Sequence, residues 1–387
     1  MTKRNLIIII AAVIILGLIG CGIWYRYNRE QQTVQENYDV GAVLFLTGNQ
    51  APLGEEVKNA LTIAQDEINQ AGGINGKKLQ LAIEDSKDTA RDAIAAFNKL
   101  ASGNLPVIIS TGDVVTLSLT SLADRDKVVL MSTVAASPGI PQQSDWVFRS
   151  FITADQQAKT AADYAFNDLK LKKVAVLRIN NEFGVSSFEA FKKHFEELGG
   201  TVVTVDTFEI EQKDFRNTLA KINSARPEAI FVTGFGFGYG AAIKQIREMN
   251  LKSVIIADNS LSIPYFQELA GGGEGAYFTS TLFDPSAATG KTKQFIDNYK
   301  AKFNSNPSFI AAFAYDSLHL IAEAIKNGGY SKEGIRQGLL DIKDYEGLMG
   351  RMSFDPQGEL KFSVQVNRIE RGSRKLFPNF IIGDSLT

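Results

Sequence analysis

In the stretch VIISTGDVVTLS, residues 107–118, an apolar run stops at Ser110-Thr111-Gly112 and a helix begins at about Val114. A strand, a tight turn and a helix start together make an anion site, because the first helical N–H groups are unpaired and the helix dipole is positive there. Asp113 sits at that spot and is itself negative. The site supplies its own carboxylate, and what it binds at that end is therefore the chemical question the sequence poses.

Nucleophilic catalysis has little to draw on. The 387 residues include two histidines, His194 in FKKHFEE and His319 in DSLHLIAEA, and one cysteine, Cys21. Both histidines fall in helical patterns without strand-end placement, there is no G-x-S-x-G elbow, and a His/Cys zinc site lacks ligands. The carboxylates of EEVKNA and KKHFEEL alternate with lysines, as on solvated helix faces. A net charge of −2 gives no basic footprint for nucleic acid.

The strongest enzyme-like motif is TGFGFGYGAAIKQI. Gly236, Gly238 and Ala241 fit a G-x-G-x-x-A dinucleotide fingerprint after the strand AIFV, with Asp258 about 20 residues on. Against it stand the general richness of the run in glycine, its place midway along the chain, and the scarcity of nicotinamide cofactors outside the cytoplasm. Glycine there serves equally where backbone must approach a ligand or a neighbouring element closely. An exported dinucleotide-binding enzyme is the lesser alternative; the expectation is no catalysis, no cofactor and no metal.

The elements that must hold these residues follow from the patterning. Short β-branched runs (VGAVLFL, KLQLAIE, PVIIS, KVVLMS, WVFRSF, KVAVLRI, TVVTVDTF, AIFVTG, SVIIAD, AYFTS) alternate with amphipathic helices, which implies βαβ units and largely parallel sheets. Val57, Ala60, Leu61, Ala64 and Ile68 form one helical stripe and Phe188, Phe191, Phe195 and Leu198 another; both helices stop at Gly-Gly before a strand. Strand, helix, Gly-Gly, strand recurs, so the chain is read as two similar halves. Helices over 292–303, 309–326 and 332–340 follow, then strands in SFDPQGELKFSVQVNRIERG. The expected α/β architecture has two Rossmann-like lobes with parallel sheets: 38–154 plus 283–345, and 155–282 plus 346–380. Ligands of such sheets sit beyond the carboxyl ends of the strands, so the two lobes should face their loops across a cleft.

At the N-terminus Lys3 and Arg4 precede the apolar run Leu6–Gly20 and the tetrad Leu18-Ile19-Gly20-Cys21. This is a secretory signal, residues 1–20, and the tetrad resembles a bacterial lipobox whose thiol, Cys21, is acylated; an uncleaved membrane span is the other reading. Residues 26–37 are polar and aperiodic, and 21–37 is the expected lipid-anchored tether. Either way the remainder is exported and anchored on the outer side of the membrane.

Residues at strand ends facing the cleft are the candidates for binding: Leu53 before Gly54, Asp113 and Val114, Thr133, Ala135 and Ser137 in MSTVAAS, then Phe183, Phe235, Phe237, Asp258 and Asn259. Small, hydroxyl and aromatic groups with two acids suit a small polar molecule, although Ser, Thr, Asp and Asn at these places also serve as ordinary N-caps.

The stretches ALTIAQDEINQAGGINGKKLQLAIEDSKD, VFRSFITADQQAKTAADY, VAVLRINNEFGVSSFEAFKKHFEELGG and AFAYDSLHLIAEAI resemble the branched-chain amino acid-binding proteins of ABC transporters. The resemblance covers roughly 38–377, and INGKKLQL and the Tyr315-Asp316 helix are its more specific parts. It implies a type I periplasmic-binding fold with three crossovers, closure on a ligand, and a membrane permease as partner; Tyr315 joins the binding candidates on this ground. In such proteins a serine-rich turn and an Ala-Ala-Thr stretch hold the ligand's α-carboxylate. Here Gly112-Asp113-Val114-Val115 and Ala135-Ala136-Ser137 stand in those places. Asp258 or Asn259 falls where an acid holds the α-ammonium, Phe183 where tyrosine is common, and Leu53 where another aromatic is frequent.

An ionised Asp113 within about 4 Å of a ligand carboxylate would cost on the order of 4 kcal/mol at a surface-like dielectric, roughly a thousandfold in affinity. Either Asp113 caps its own helix and turns from the cleft, or the ligand presents an amide, amine or hydroxyl at that end. The function expected is capture of a small polar solute, an amino acid or a related amide or amine, for an ABC permease. A ligand sensor of the same fold signalling to a membrane partner is the alternative.

Overall fold

The computed structural model describes residues 37–48, 50–285, 287–370 and 373–382. Residues Met1–Tyr38 form one unit and Asp39–Thr387 another. The expected secretory signal, Cys21 and nearly all of the expected tether lie outside the described residues. Among the described residues no helix is long and apolar enough to cross a membrane.

The first sheet is built by β1 (Asn37–Leu44), α1 (Ala51–Gln70), β2 (Lys78–Asp85), α2 (Ala90–Ser102), β3 (Val107–Thr111), α3 (Asp113–Asp126), β4 (Val129–Thr133) and β5 (Val147–Arg149). The chain then crosses to α4 (Ala154–Asp163), β6 (Lys173–Ile179), α5 (Glu182–Glu197), β7 (Thr201–Phe208), α6 (Arg216–Ser224), β8 (Ala229–Thr233), α7 (Gly236–Glu248), β9 (Val254–Ala257), α8 (Pro264–Leu269) and β10 (Tyr277–Thr281). It returns through α9 (Gly290–Phe303), α10 (Phe309–Gly328) and α11 (Lys332–Leu340), and ends in β11 (Tyr345–Gly347), β12 (Gly350–Phe354), β13 (Leu360–Lys361), β14 (Val364–Glu370) and β15 (Ser373–Ile382). All ten β-branched runs of the sequence become strands.

The first sheet has the order β2-β1-β3-β4-β5, and the second runs β15-β14-β10-β9-β8-β6-β7. Reading the second from β7 to β10 gives the same order as the first, so the repeat seen in the sequence is a topological repeat. Pairs from β6 to β10 are parallel, whereas β14 and β15 add antiparallel at the edge. Connections reverse between β1 and β3 in one half and between β6 and β8 in the other. Those switch points open crevices at the carboxyl ends of the strands.

The first apolar stripe is core, and in the second Phe191 and Phe195 are buried with Phe188 partly buried against them. Val57, Ala60, Leu61, Ala64 and Ile68 are buried on α1, and Phe191 stacks on Phe231 of β8 at 4.5 Å between centroids. One glycine in each half lets a helix start touch the strand end below it. A Cβ on Gly54 would stand 2.0 Å from the Phe45 carbonyl oxygen, and one on Gly184 2.0 Å from that of Ile179. Only glycine fits such an approach, and it seats α1 and α5 at the rims of the two crevices.

One expected boundary moves. Residues 346–361 are expected in the second lobe, but β11, β12 and β13 form a small separate sheet bridged to the first through Arg149 and Glu359. Arg149 at the end of β5 pairs with Glu359, and Phe148 meets the Phe354 ring edge-on at 5.4 Å. The crossover into the second sheet therefore comes at about β14. Its cause is a buried ion pair between residues 210 positions apart, which periodicity does not reveal.

Candidate functional site: a polar cluster at the strand ends of both lobes

Asp113 is the first residue of α3, yet it does not cap that helix. Gly112 holds the N-cap position with φ +80°, and there is no side-chain cap bond. The carboxylate reaches sideways to the loop after β4, where its Oδ1 accepts the Ser137 N–H at 2.8 Å. Burial raises the Asp113 pKa above the ordinary aspartate range; the Ser137 N–H and hydroxyl, the Arg149 guanidinium and the Ala136 N–H pull the other way.

The loop that meets Asp113 is bent at Val134, whose φ is +56°. A β-branched residue in the left-handed region is a genuine outlier, and such strain persists where surrounding contacts over-determine it. Here they do. Below the bend Ser137 is clamped from both sides, its N–H by Asp113 and its carbonyl by Arg149 Nη1. Arg149 Nε and Nη2 in turn donate to the two Glu359 oxygens at 2.7 and 2.6 Å, and the pair is almost wholly buried. A bidentate guanidinium–carboxylate pair with the third donor also used satisfies the geometry a buried pair requires.

The first turn of α4 carries the construction into the second lobe. Thr153 and Gln156 form a capping box at its start. The Ala154 N–H donates to the Ala136 carbonyl at 3.3 Å, and the Gln157 side-chain oxygen accepts the Asn259 N–H at 2.8 Å. Three residues of helix rise only about 4.5 Å. The loop after β4 and the loop after β9 are therefore brought to one short stretch of helix.

In the second lobe Asp258 is fully buried. Its Oδ2 accepts the Thr233 hydroxyl at 2.9 Å and the Gly234 N–H at 2.6 Å, while Oδ1 accepts the Ser260 N–H at 2.9 Å. Burial still pushes its pKa up to about 6 against those bonds. The carboxylate thus organises the ends of β8 and β9. Phe183 and Phe235, which flank the β6/β8 switch point, face each other at 6.0 Å.

Among the described residues, two buried polar atoms in this region have no protein partner: Thr133 Oγ1 on the first lobe and Asn259 Nδ2 on the second. Orphans of this kind are costly unless something outside the chain satisfies them. Thr133, Ala135, Ser137 and Asp113 come together on one side, and Phe183, Phe235, Asp258 and Asn259 on the other. Val114 is exposed beside Asp113, and Leu53 is half-buried on the first turn of α1.

Two candidates lie elsewhere. Phe237 lines a cavity of about 440 Å³ on the flank of α7 and α8, with the Lys213 ammonium 5.9 Å from its ring. The Tyr315 phenol donates to Glu67 on α1, and its ring packs on His319 at 4.4 Å inside the first lobe. The dinucleotide-like glycines have a packing role instead. A Cβ on Gly238 would meet the Glu209 carbonyl oxygen at 2.5 Å, and one on Gly236 the Ile210 Cγ1 at 2.3 Å. Sequence reasoning missed Arg149 and Gln157; the usable signal for the first was a charge inside the otherwise apolar WVFRSF.

Known proteins agree with this architecture. The periplasmic binding protein family profile matches residues 37–373. The Leu/Ile/Val-binding protein homolog 3 of Brucella melitensis is 26% identical, over 83% of this chain and 88% of that protein. The crystal structure of a branched-chain amino acid transporter substrate-binding protein of Streptococcus pneumoniae, in complex with isoleucine, superposes with a TM-score of 0.78. It is 27% identical and covers 88% of this chain and 98% of that one. An ABC transporter substrate-binding protein from Sphaerobacter thermophilus, 23% identical, shares the fold with a TM-score of 0.81 over 90% of this chain and 98% of its own. With two matching half-sheets, a polar cluster between their strand ends and a profile spanning nearly all the described residues, the chain belongs to the periplasmic binding protein family, whose members bind small solutes for ABC transporters rather than catalyse reactions.

Proposed function

We propose that this protein captures a small polar solute between its two lobes and delivers it to the permease of an ABC transporter, and that the end of the solute meeting Asp113 is an amide, an amine or a hydroxyl rather than a carboxylate. The observation that carries the second statement is the 2.8 Å bond from the Ser137 N–H to Asp113. A loop N–H that would otherwise be available to a ligand carboxylate is taken by the protein's own. A second carboxylate brought to the same place meets the repulsion estimated above, on the order of 4 kcal/mol. A cationic or neutral donor meets an acceptor.

The relatives named for leucine, isoleucine and valine support an amino-acid-like solute with an apolar body, and the Phe183–Phe235 pair offers that body a wall. Capture works through closure: a solute bridging both lobes favours the closed state by its differential affinity for it. The N-terminal reading completes the proposal. A signal ending at residue 20 and acylation of Cys21 would tether the binding lobes on the outer side of the membrane, within reach of the permease.

Native mass spectrometry on the exported part, residues 26–387, purified gently from a host grown in rich medium, tests the reading. A retained amide, amine or polyol supports it. Retained leucine, isoleucine or valine refutes the statement about Asp113 while leaving solute capture intact.

A further inference from the structure

At the amino ends of β9 and β10, the opposite end of the second sheet from the polar cluster, lies a cavity of about 640 Å³. Four cationic side chains line it, Lys244, Arg247, Lys252 and Arg368, against the acids Glu248 and Glu274. Two contacts offset part of that charge: Lys244 lies 3.7 Å from Glu248, and Arg368 Nη1 donates to Glu370 at 2.9 Å. The guanidinium donors are not used up by them. Arg368 Nε is buried with no acceptor among the described residues, and the acid that acts on Arg247 is Glu274.

The two guanidiniums are held in place. Arg368 stands opposite Tyr277 in the β10/β14 register, with its guanidinium 5.1 Å from the centre of the Tyr277 ring. Arg247 Nη2 lies 3.3 Å from where a Cβ on Gly275 would stand, and Gly275 has φ +75°, so a side chain there would crowd the guanidinium. Burial and the positive charge of Arg368 both lower the Arg247 pKa, opposed by Glu274. Like charges held together in a concave, half-dry place, with a buried guanidinium donor lacking an acceptor, are the complement of a multivalent oxyanion.

We infer that this cavity is a second binding site, distinct from the interlobe cleft, for a phosphate-type oxyanion gripped between Arg247 and Arg368 with Lys252 at the rim. The same chemistry is offered by free phosphate and by the phosphate of a glycerophosphate headgroup or polymer. In either case the second lobe would be engaged from its far end while the cleft remains free to take solute.

The test uses the full chain and two probes, inorganic phosphate and glycerol 1-phosphate, each titrated while the arginine side-chain NMR signals are followed. Saturable shifts are expected with a dissociation constant of about 1 mM or tighter. Arg247→Gln should weaken binding at least about tenfold, and Lys252→Gln, at an exposed position, about twofold to threefold, with solute affinity in the cleft unchanged in both. Preference for inorganic phosphate marks a free anion as the source; preference for glycerol 1-phosphate marks a headgroup or polymer. No saturable shift with either probe up to about 10 mM, or equal binding by the wild type and both variants, overturns the inference.

Discussion

The carboxylate of Asp113 accepts the backbone N–H of Ser137, a residue 24 positions further on, at 2.8 Å. The contact joins the turn after β3 to the loop after β4. It also turns the carboxylate toward that loop and away from the helix N–H groups it would otherwise cap. Through Ser137 it is linked to Arg149, and through Arg149 to Glu359 in the small sheet where the chain crosses between lobes. The residue expected to meet the solute and the residues at the crossover thus share one hydrogen-bonded chain.

That chain should be expensive to break from its far end. Glu359→Ala leaves the Arg149 guanidinium buried without its partner, and a loss of about 3–5 kcal/mol of stability is expected in urea denaturation. The double change Arg149→Met with Glu359→Leu removes both charges and should recover much of that loss. A double variant no more stable than Glu359→Ala would show that the pair acts through something other than charge burial.

His319 gives a pH dependence with a defined sign. It is held neutral inside the first lobe, and burial, helped by the Lys291 charge, pushes its pKa down to about 3. A depressed histidine contributes stability that is whole above its unfolded pKa of about 6.5 and is lost as pH falls below it, by about 1.4 kcal/mol per unit. Asp258 and Asp316, both pushed up to about 6, work in the opposite direction as pH falls through about 6. The clean measurement is therefore the difference between wild type and His319→Gln. The wild-type excess should shrink by about 2 kcal/mol between about pH 6.5 and 5. A constant difference across that interval would mean that His319 does not titrate on unfolding.

Two phenylalanines two residues apart in one glycine run should behave differently. Phe235 faces Phe183 across the switch point, whereas Phe237 lines the outer flank with Lys213. Phe183→Leu and Phe235→Leu should each lower solute affinity about fivefold to tenfold, and Phe237→Leu should leave it within about twofold. Calorimetric titration of the purified protein with its retained solute decides the matter. Equal losses at Phe235 and Phe237 would move the site onto the outer flank.

The sequence displayed the framework well because the framework is local. Period-two and period-3.6 stripes mark every strand from β1 to β10 and the two phenylalanine- and aliphatic-faced helices, and Gly-Gly stops mark their ends. The topological repeat was visible for the same reason. What the sequence hid was set by partners far away along the chain. Helix-start aspartates usually cap, and Asp113 does not because the strained Val134 loop presents an N–H to it. Residues Gly350–Lys361 belong with the first lobe because Glu359 finds Arg149. Tyr315 was placed near the solute by resemblance alone, and its actual partner, Glu67, lies 248 residues away on α1.

Whether the protein's own carboxylate occupies the place of a ligand carboxylate is decided by one calorimetric comparison. Leucine and leucinamide would be titrated into wild type and Asp113→Ser, with the retained native solute as a reference. Wild type should prefer the amide by at least about tenfold, and Asp113→Ser should reverse or abolish the preference. The gap should narrow at acidic pH, because the raised Asp113 pKa lets the carboxylate neutralise sooner there. Leucine binding more tightly than its amide to wild type, with no change on Asp113→Ser, would contradict that placement of the carboxylate.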